Sequence, residues 1–164
     1  MLDTLSDVAW SALPQPPWNN HQTSVPNALR QLAELDDAAG ANEIYNQVLF
    51  ALGNNHRGTI WPVAIAAIPF LVEIVEGGPA AAAHCAAEVL YEVLLFYPDE
   101  GFETVLGSDG SVVPLREAIL GEVLKFRSRL ERIARAPESP PALVGEVSDL
   151  IEHIDERSSA PETP

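Results

Sequence analysis

The sequence predicts an all-α fold in which short turns join one helix to the next. Apolar residues recur at helical spacing along most of the chain, and prolines and glycines stand at the ends of the apolar stretches. The most apolar segment, residues 58–76, holds two prolines and is followed by two glycines. A helix that is apolar on several faces needs other helices around it. We therefore expect a single α-helical domain over residues 1–157, followed by a disordered tail over 158–164.

The first part of the chain predicts an irregular segment and two helices. The segment before Ser24 holds three prolines, and Trp10 and Trp18 are expected to anchor it on the body of the domain. Ser24 is the expected cap of the first helix, with Pro26 in its first turn. The second helix is expected over residues 42–52, where apolar side chains recur at helical spacing.

The apolar segment in the middle predicts a long buried helix. Thr59 is its expected N-cap, and Gly77 is expected to end it. Pro69 should kink this helix, because proline removes one backbone hydrogen bond and crowds the preceding turn. No strand is expected anywhere between Ile60 and Val75.

The second half of the chain predicts three more helices. The first is expected over residues 80–97, and an acidic loop over 99–110 follows it. Ser111 is expected to cap a long helix that ends near residue 136, and the last helix is expected over 142–156. The apolar side chains on the inner stripes of all these helices form the expected core, namely Leu29, Leu32, Ile44, Val48, Leu52, Ile65, Ile68, Leu71, Val89, Val93, Leu94, Leu120 and Leu124.

A proline signature repeats along the chain at nearly constant spacing. Pro26, Pro69 and Pro114 each follow a valine or an isoleucine, and successive prolines are 43 and 45 residues apart. Two-helix units of roughly 40–47 residues are typical of HEAT and armadillo arrays. We therefore expect a HEAT-like α-solenoid of about three helix pairs, the minimum for stable stacking. The alternative is an irregular helical bundle in which these prolines are coincidental helix starts.

The second helices of the predicted pairs carry the candidate binding residues. Aligning the repeats puts Glu43, Glu88 and Glu146 at equivalent, solvent-facing positions, as an acidic ladder with Tyr91 near its centre. Such a surface suits a basic protein partner, because tyrosine is frequent at binding hot spots and carboxylates steer cations. The alternative is that these glutamates are only the solvated sides of amphipathic helices. The candidate partner-binding residues of the ladder and of the acidic loop are Glu43, Asn46, Gln47, Glu88, Tyr91, Glu92, Asp99, Glu100, Glu103, Glu146 and Asp149.

The net charge of −15 over 164 residues restricts the class of partner. It argues against direct nucleic-acid binding, which needs clustered lysine and arginine, and it indicates either a basic protein partner or enhanced solubility. The single cysteine excludes an intrachain disulfide. The N-terminus lacks a signal-peptide pattern, and no apolar run is long enough for a membrane span. We expect a soluble cytoplasmic protein without membrane contact.

Candidate chemistry is sparse. The sequence contains none of the common nucleotide-binding, metal-binding or nucleophile motifs. His84 and Glu88 lie four residues apart and could supply two metal ligands, but a histidine beside an ordinary helix carboxylate is the simpler interpretation. Cys85 is expected to be a small buried residue. The loop of His56 and Gly58 is expected to be structural, with the glycine permitting a tight turn and the histidine hydrogen-bonding a neighbouring one. We expect no catalytic site, no cofactor and no metal.

Three stretches in the first half of the chain carry recognisable motifs. Residues 25–32 read Val-Pro-Asn-Ala-Leu-Arg-Gln-Leu, residues 55–61 read Asn-His-Arg-Gly-Thr-Ile-Trp, and residues 67–73 read Ala-Ile-Pro-Phe-Leu-Val-Glu. Over residues 18–97 the chain resembles a set of small bacterial HEAT-like proteins. These share a Val-Pro-x-x-Leu-x-x-Leu helix, a His-x-Gly-Thr turn and a Val-Pro-Phe-Leu helix. The chain departs from that pattern at Arg57, where glutamine is common.

The resemblance implies an interaction protein, because many members of that set belong to bacterial toxin–immunity loci. Together with the acidic charge, it leads us to expect a non-catalytic module that neutralises a basic toxin, such as a nuclease, by occluding its active site. One alternative is a HEAT-like adaptor that binds a peptide or a helix of a housekeeping partner. Another is an enzyme on a HEAT-like frame, such as a DNA glycosylase, which the acidic balance disfavours.

Overall fold

A computed structural model describes residues 1–107 and 109–159 and shows a mostly helical chain, which confirms the predicted all-α class. Two short 3₁₀ turns, Leu5–Asp7 and Trp10–Ala12, precede the first helix. The helices are α1 Val25–Ala33, α2 Ala41–Leu52, α3 Val63–Gly77, α4 Ala80–Leu95, α5 Leu115–Leu124, α6 Arg127–Arg135 and α7 Pro141–Ser159. The strands are β1 Gly53–Asn54, β2 Thr59–Ile60, β3 Tyr97–Pro98, β4 Thr104–Leu106 and β5 Val112–Pro114.

The helices form two layers. In sequence order, α1 packs on α2, α3 on α4 and α6 on α7. The second members α2, α4 and α7 contact one another in that order, and α3 contacts α1, α5 and α6. The core lies between the layers and includes the fully buried side chains of Leu29, Leu71, Leu90 and Leu150.

The irregular N-terminal segment is anchored by its tryptophans, as predicted. Trp10 is buried, and its indole N–H donates to the carbonyl of Leu5 at 2.8 Å. Its ring lies 5.9 Å from that of Phe70 on α3, between centroids. Trp18 stacks on Phe50 of α2 at 5.1 Å and donates to the carbonyl of the same residue at 2.9 Å. The segment therefore covers parts of both helix layers.

The prediction that the central helix begins at Thr59 is wrong, and so is the expectation that no strand reaches Ile60. Both residues form β2, which pairs antiparallel with β1 and parallel with β3 in a three-stranded sheet. They are β-branched and suit extended backbone. Gly53 permits the close approach, because a Cβ there would lie 2.0 Å from the Thr59 carbonyl oxygen. The helix begins after the sheet, at Val63.

Pro69 lies inside α3, which continues without interruption from Val63 to Gly77. Proline has no N–H, so the carbonyl of Ile65 loses its intrahelical donor. The pyrrolidine ring is half-buried and lines an open groove on the outer side of α3. The kink expected at this residue stays a prediction.

The prediction of one long helix after Ser111 is also wrong. That residue lies in the turn of an antiparallel hairpin of β4 and β5, where its hydroxyl donates to Asp109 Oδ1 at 2.6 Å. Two shorter helices follow, and they separate at Lys125 and Phe126. Pro114 consequently ends a strand, whereas Pro26 and Pro69 lie within helices.

The predicted core is confirmed for most of its members. Ile44, Ile65 and Leu120 are only half-buried and pack at its margin. The prediction that Leu124 belongs to the core is wrong, because this residue lies at the end of α5 and remains 37% exposed. The last helix extends further than predicted, so that the first two residues of the expected tail continue α7 to Ser159. The rest of that tail lies outside the described residues.

The turn before β2 has the structural role that the sequence predicts for its glycine. Gly58 has a φ of 63°, a left-handed conformation that glycine adopts readily. His56 is exposed and makes no hydrogen bond to any described residue, so its predicted bond to a neighbouring turn is wrong. Asn54 closes the turn instead, because its main-chain carbonyl and its side-chain Oδ1 both accept from the Arg57 N–H, at 3.1 and 3.2 Å.

Candidate protein-binding surface

Four carboxylates gather where α4 packs on α7, and we call them the acidic face: Glu88 and Glu92 on α4, and Glu146 and Asp149 on α7. Burial raises the pKa of Glu146, and the negative charges of the other three raise it further. Glu146 is therefore close enough to the other three carboxylates to be repelled by them. Such repulsion is relieved when a cation approaches.

Two half-buried aromatic rings lie on the same pair of helices. The ring of Tyr91 on α4 lies 5.4 Å from that of His153 on α7, between centroids. His84 contributes a second imidazole, whose Nε2 lies 3.6 Å from a carboxylate oxygen of Glu88. A positive charge on His84 would lower the pKa of Glu146, so this histidine can offset part of the negative charge of the face.

Tyr45 extends this surface onto α2, a position that its sequence pattern does not predict. Burial raises the pKa of Tyr45 well above its usual range, and the adjacent carboxylate of Glu92 adds to that effect. Tyr45 is therefore directed toward α4. Its position in an apolar stripe at helical spacing suggested an inner residue, and it is only half-buried.

The rest of the predicted ladder on α2 lies elsewhere. Glu43 and Gln47 hydrogen-bond each other at 3.1 Å and line a shallow groove between α1 and α2. Each stands two residues from Tyr45, which rotates it by roughly 200° on the helix and away from α4. Asn46 accepts from the side-chain amide of Asn55 at 2.7 Å. The structure thus brings Glu88 and Glu146 together, as the alignment predicts, without Glu43.

The candidate residues of the acidic loop form a separate group between β3 and β4. Asp99 accepts from the hydroxyl of Thr59 at 2.7 Å, and this hydrogen bond lowers the pKa of the carboxyl group. Glu103 accepts from the N–H of Gly101 at 3.2 Å. Glu100 is exposed. Asp99 therefore fastens the loop to the small sheet, whereas the two glutamates remain at the surface.

The arginines of α6 are paired with carboxylates outside the acidic face. Arg129 and Arg132 both bind the carboxylate of Glu76, at the end of α3. Arg127 binds Asp155 at 2.9 Å and also Glu131. Within residues 1–107 and 109–159, no lysine or arginine forms an ion pair with a carboxylate of the acidic face. Apart from His84 beside Glu88, the negative charge of that face therefore has no paired cation in these ranges.

The single cysteine is buried, as predicted. The thiol of Cys85 lies 3.8 Å from the carbonyl oxygen of Ala41, and burial raises its pKa to about 12. The reactive thiolate is therefore scarce at neutral pH. In the part of the chain that the structure describes, no group of three or more histidine, cysteine, aspartate and glutamate side chains could hold a metal ion.

An open apolar groove of about 930 Å³ lies on the opposite helix layer. The N-terminal segment, α3, β4 and the junction of α5 with α6 line it, and its aromatic residues are Phe70, Phe102 and Phe126. Sequence reasoning missed this groove because its walls come from four separate parts of the chain. The apolar residues Phe102, Val105 and Leu106 within the acidic loop are the local signal that the sequence offers.

No family model, curated protein or solved structure matches the chain. None of the helices described is both long enough and apolar enough to cross a membrane.

Proposed function

We propose that this chain is a non-catalytic protein-binding module that takes a basic protein partner on the acidic face. The observation that carries the proposal is the gathering of four carboxylates between α4 and α7 without a lysine or arginine paired to them in the described ranges. Like charges held together cost stability, and a cationic partner removes that cost on binding. Four of the eight arginines lie in ion pairs with carboxylates outside that face.

The helix pairing supports a HEAT-like solenoid as the frame of this module. Three successive pairs, with α2, α4 and α7 in one contiguous row, are the arrangement that stacked two-helix repeats adopt. Such a row presents one long surface formed by several helices. The acidic face occupies the part of that row built by α4 and α7.

The proposed mode of binding combines steering with an aromatic anchor. The carboxylates accelerate the encounter with a cationic surface, and this effect weakens as salt screens the charges. Tyr91 supplies apolar area beside the carboxylates, and its pairing with His153 fixes the ring before the partner arrives. Neither contribution needs a cofactor.

The resemblance to HEAT-like proteins of toxin–immunity loci supports a specific partner. We infer that the chain neutralises a basic toxin, such as a nuclease, by covering its active site with the acidic face. An acidic cover suits an enzyme whose own substrate is anionic, because the same cationic groups then bind the inhibitor.

The test is co-expression with the product of the adjacent gene, followed by co-purification and stopped-flow measurement of association. The variant carrying Glu88→Lys and Glu92→Lys should associate at least tenfold more slowly and lose most of its salt dependence. A matched control carries Glu34→Lys and Glu138→Lys, which changes the net charge equally at exposed residues away from the face. Equal slowing in both variants would show that only net charge matters, and unchanged association in the first variant would place the interface elsewhere.

A further inference from the structure

The hairpin of β4 and β5 has a defined hydrogen-bonding side. The N–H of Leu115 donates to the carbonyl of Glu103 at 2.8 Å, and the N–H of Gly107 donates to the carbonyl of Ser111 at 2.7 Å. In an antiparallel pair, bonded and non-bonded positions alternate along each strand. Val105, midway between the two bonded positions of its strand, therefore also directs its backbone groups toward β5.

The alternate residues of β4 direct their backbone groups outward. Thr104 and Leu106 occupy non-bonded positions, so their N–H and C=O groups point away from β5. The sheet has only two strands, and no backbone hydrogen bond joins either residue to a third element in the described chain. The outer edge of β5 includes Pro114, which has no N–H to offer. Only β4 thus presents a continuous open edge.

The apolar groove runs along this open edge. Thr104, Val105 and Leu106 all line it, whereas no residue of β5 does. Consecutive side chains of a strand point to opposite faces, so a space that touches all three residues lies beside the strand. Its other walls carry the rings of Phe70, Phe102 and Phe126. An added strand would find backbone partners on one side and apolar side chains on the other.

The hairpin keeps a large apolar surface in water. Leu106 is 76% exposed and Val112, its cross-strand neighbour, is 68% exposed. An exposed apolar pair beside an open strand edge is the arrangement that natural sheets avoid unless a partner covers it.

The charges around the groove determine which sign of charge a partner should carry. Glu100, Glu103 and Asp109 lie in the loop and hairpin and form no ion pair with any described cation. Glu122 lines the groove itself, but its ion pair with Lys125 at 2.5 Å offsets its charge. The one arginine in the groove wall is bound to Glu76, which reduces its repulsion of a cation. The surroundings therefore favour a basic segment.

We propose that an extended segment of a partner protein, in which apolar residues alternate with lysine or arginine, adds to β4 as a third strand. Its backbone bonds to Thr104 and Leu106, its apolar side chains enter the groove, and its cations meet the carboxylates of the loop. This surface is separate from the acidic face, and the inference does not depend on the function proposed for that face.

The probe is a fluorescein-labelled, N-acetylated peptide of sequence Lys-Val-Lys-Val-Lys-Val-Lys, titrated with the full chain at low salt and followed by anisotropy. Binding should slow hydrogen exchange of the Thr104 and Leu106 amides and leave the peptide extended by NMR. Thr104→Pro removes one outward N–H and should weaken binding about tenfold, whereas the control Thr104→Val should not. The variant with Glu88→Lys and Glu92→Lys should bind the peptide as the parent does.

A second measurement keeps the test decisive if Thr104→Pro fails to fold. Two further peptides carry N-methyl groups on the valines or on the lysines, and at least one should bind the unmodified chain about tenfold more weakly. Equal binding of all three peptides, a helical bound peptide, or loss of binding only in the acidic-face variant would overturn the proposal. So would a dimer in light scattering that Thr104→Pro dissociates, because the occupant would then be a second copy of this chain.

Discussion

Replacing Leu71 by alanine measures how much the packing of α3 contributes to the stability of the core. The side chain is 0% exposed and lies on the helix that contacts α1, α4, α5 and α6. Its truncation loses about 2 kcal/mol of transfer free energy, at about 0.8 kcal/mol for each buried carbon. The cavity left behind adds a further 1–2 kcal/mol or so if the surroundings relax only in part. We therefore expect the free energy of unfolding to fall by about 3–4 kcal/mol.

The assay is urea unfolding followed by circular dichroism at pH 7, with a thermal melt in parallel. A loss of about 3 kcal/mol should lower the Tm by roughly 6–12 °C for a chain of this size. The matched control is Leu124→Ala, an equal truncation at a leucine that is 37% exposed, which should change the stability by less than about 1 kcal/mol. Equal losses in the two variants would refute the assignment of α3 as the central core helix.

Three further predictions follow from charge and backbone geometry. Glu146→Gln should raise the Tm at pH 7. The pKa of this carboxyl group is raised in the folded chain, so the stability it contributes is lost as the pH rises through that pKa. The neutral amide removes this loss. Glu76→Gln should lower the free energy of unfolding by less than about 1 kcal/mol, and the Tm only slightly. A hydrogen bond from Arg129 lowers the pKa of Glu76, so the stability that this carboxylate contributes is lost as the pH falls. Melts from pH 3 to 8 measure both, and a Glu146→Gln variant less stable than the parent at pH 7 would contradict the repulsion. Gly58→Ala should cost about 1 kcal/mol in urea unfolding because of its positive φ, and Gly77→Ala, where a Cβ meets no atom within 4 Å, should cost less.

Helices with strong local end signals were predictable from the sequence. Ser24 and Pro26 mark the start of α1, and Pro79 and Pro98 bracket α4 within a few residues of its observed limits. These signals act within one turn of the chain, so they do not depend on distant packing.

The strands were not predictable in the same way. Thr59 and Ile60 fit a helix start as well as a strand, and the partners that decide between the two lie in β1 and β3. The hairpin had a clearer signal, since Gly107 and Gly110 stand between two runs of β-branched and apolar residues. The acidic residues before it are typical of an exposed loop, which is why the sequence pattern predicts a loop there.

The acidic face was predictable in part. The repeat alignment brings Glu88 and Glu146 to one surface, because both lie opposite the apolar stripe of an amphipathic helix. It also places Glu43 there, which the structure does not do. The rotation of α2 about its own axis is set by packing against α1 and α4, and Tyr45 takes the position facing α4. Sequence period alone does not fix that rotation.

The small sheet of β1, β2 and β3 changes how the first two helix pairs respond to local opening. In a simple stack of helix pairs, neighbouring units are held together by side-chain contacts, and each unit can unfold nearly alone. Here the backbone of β2 bonds to the end of α2 on one side and to the segment after α4 on the other. The N–H of Tyr97 donates to Gly58 and that of Asp99 to Ile60, at 2.9 and 3.0 Å. The α1–α2 and α3–α4 pairs therefore form one cooperative folding unit, and α7, which joins it through side-chain packing on α4, can open before it.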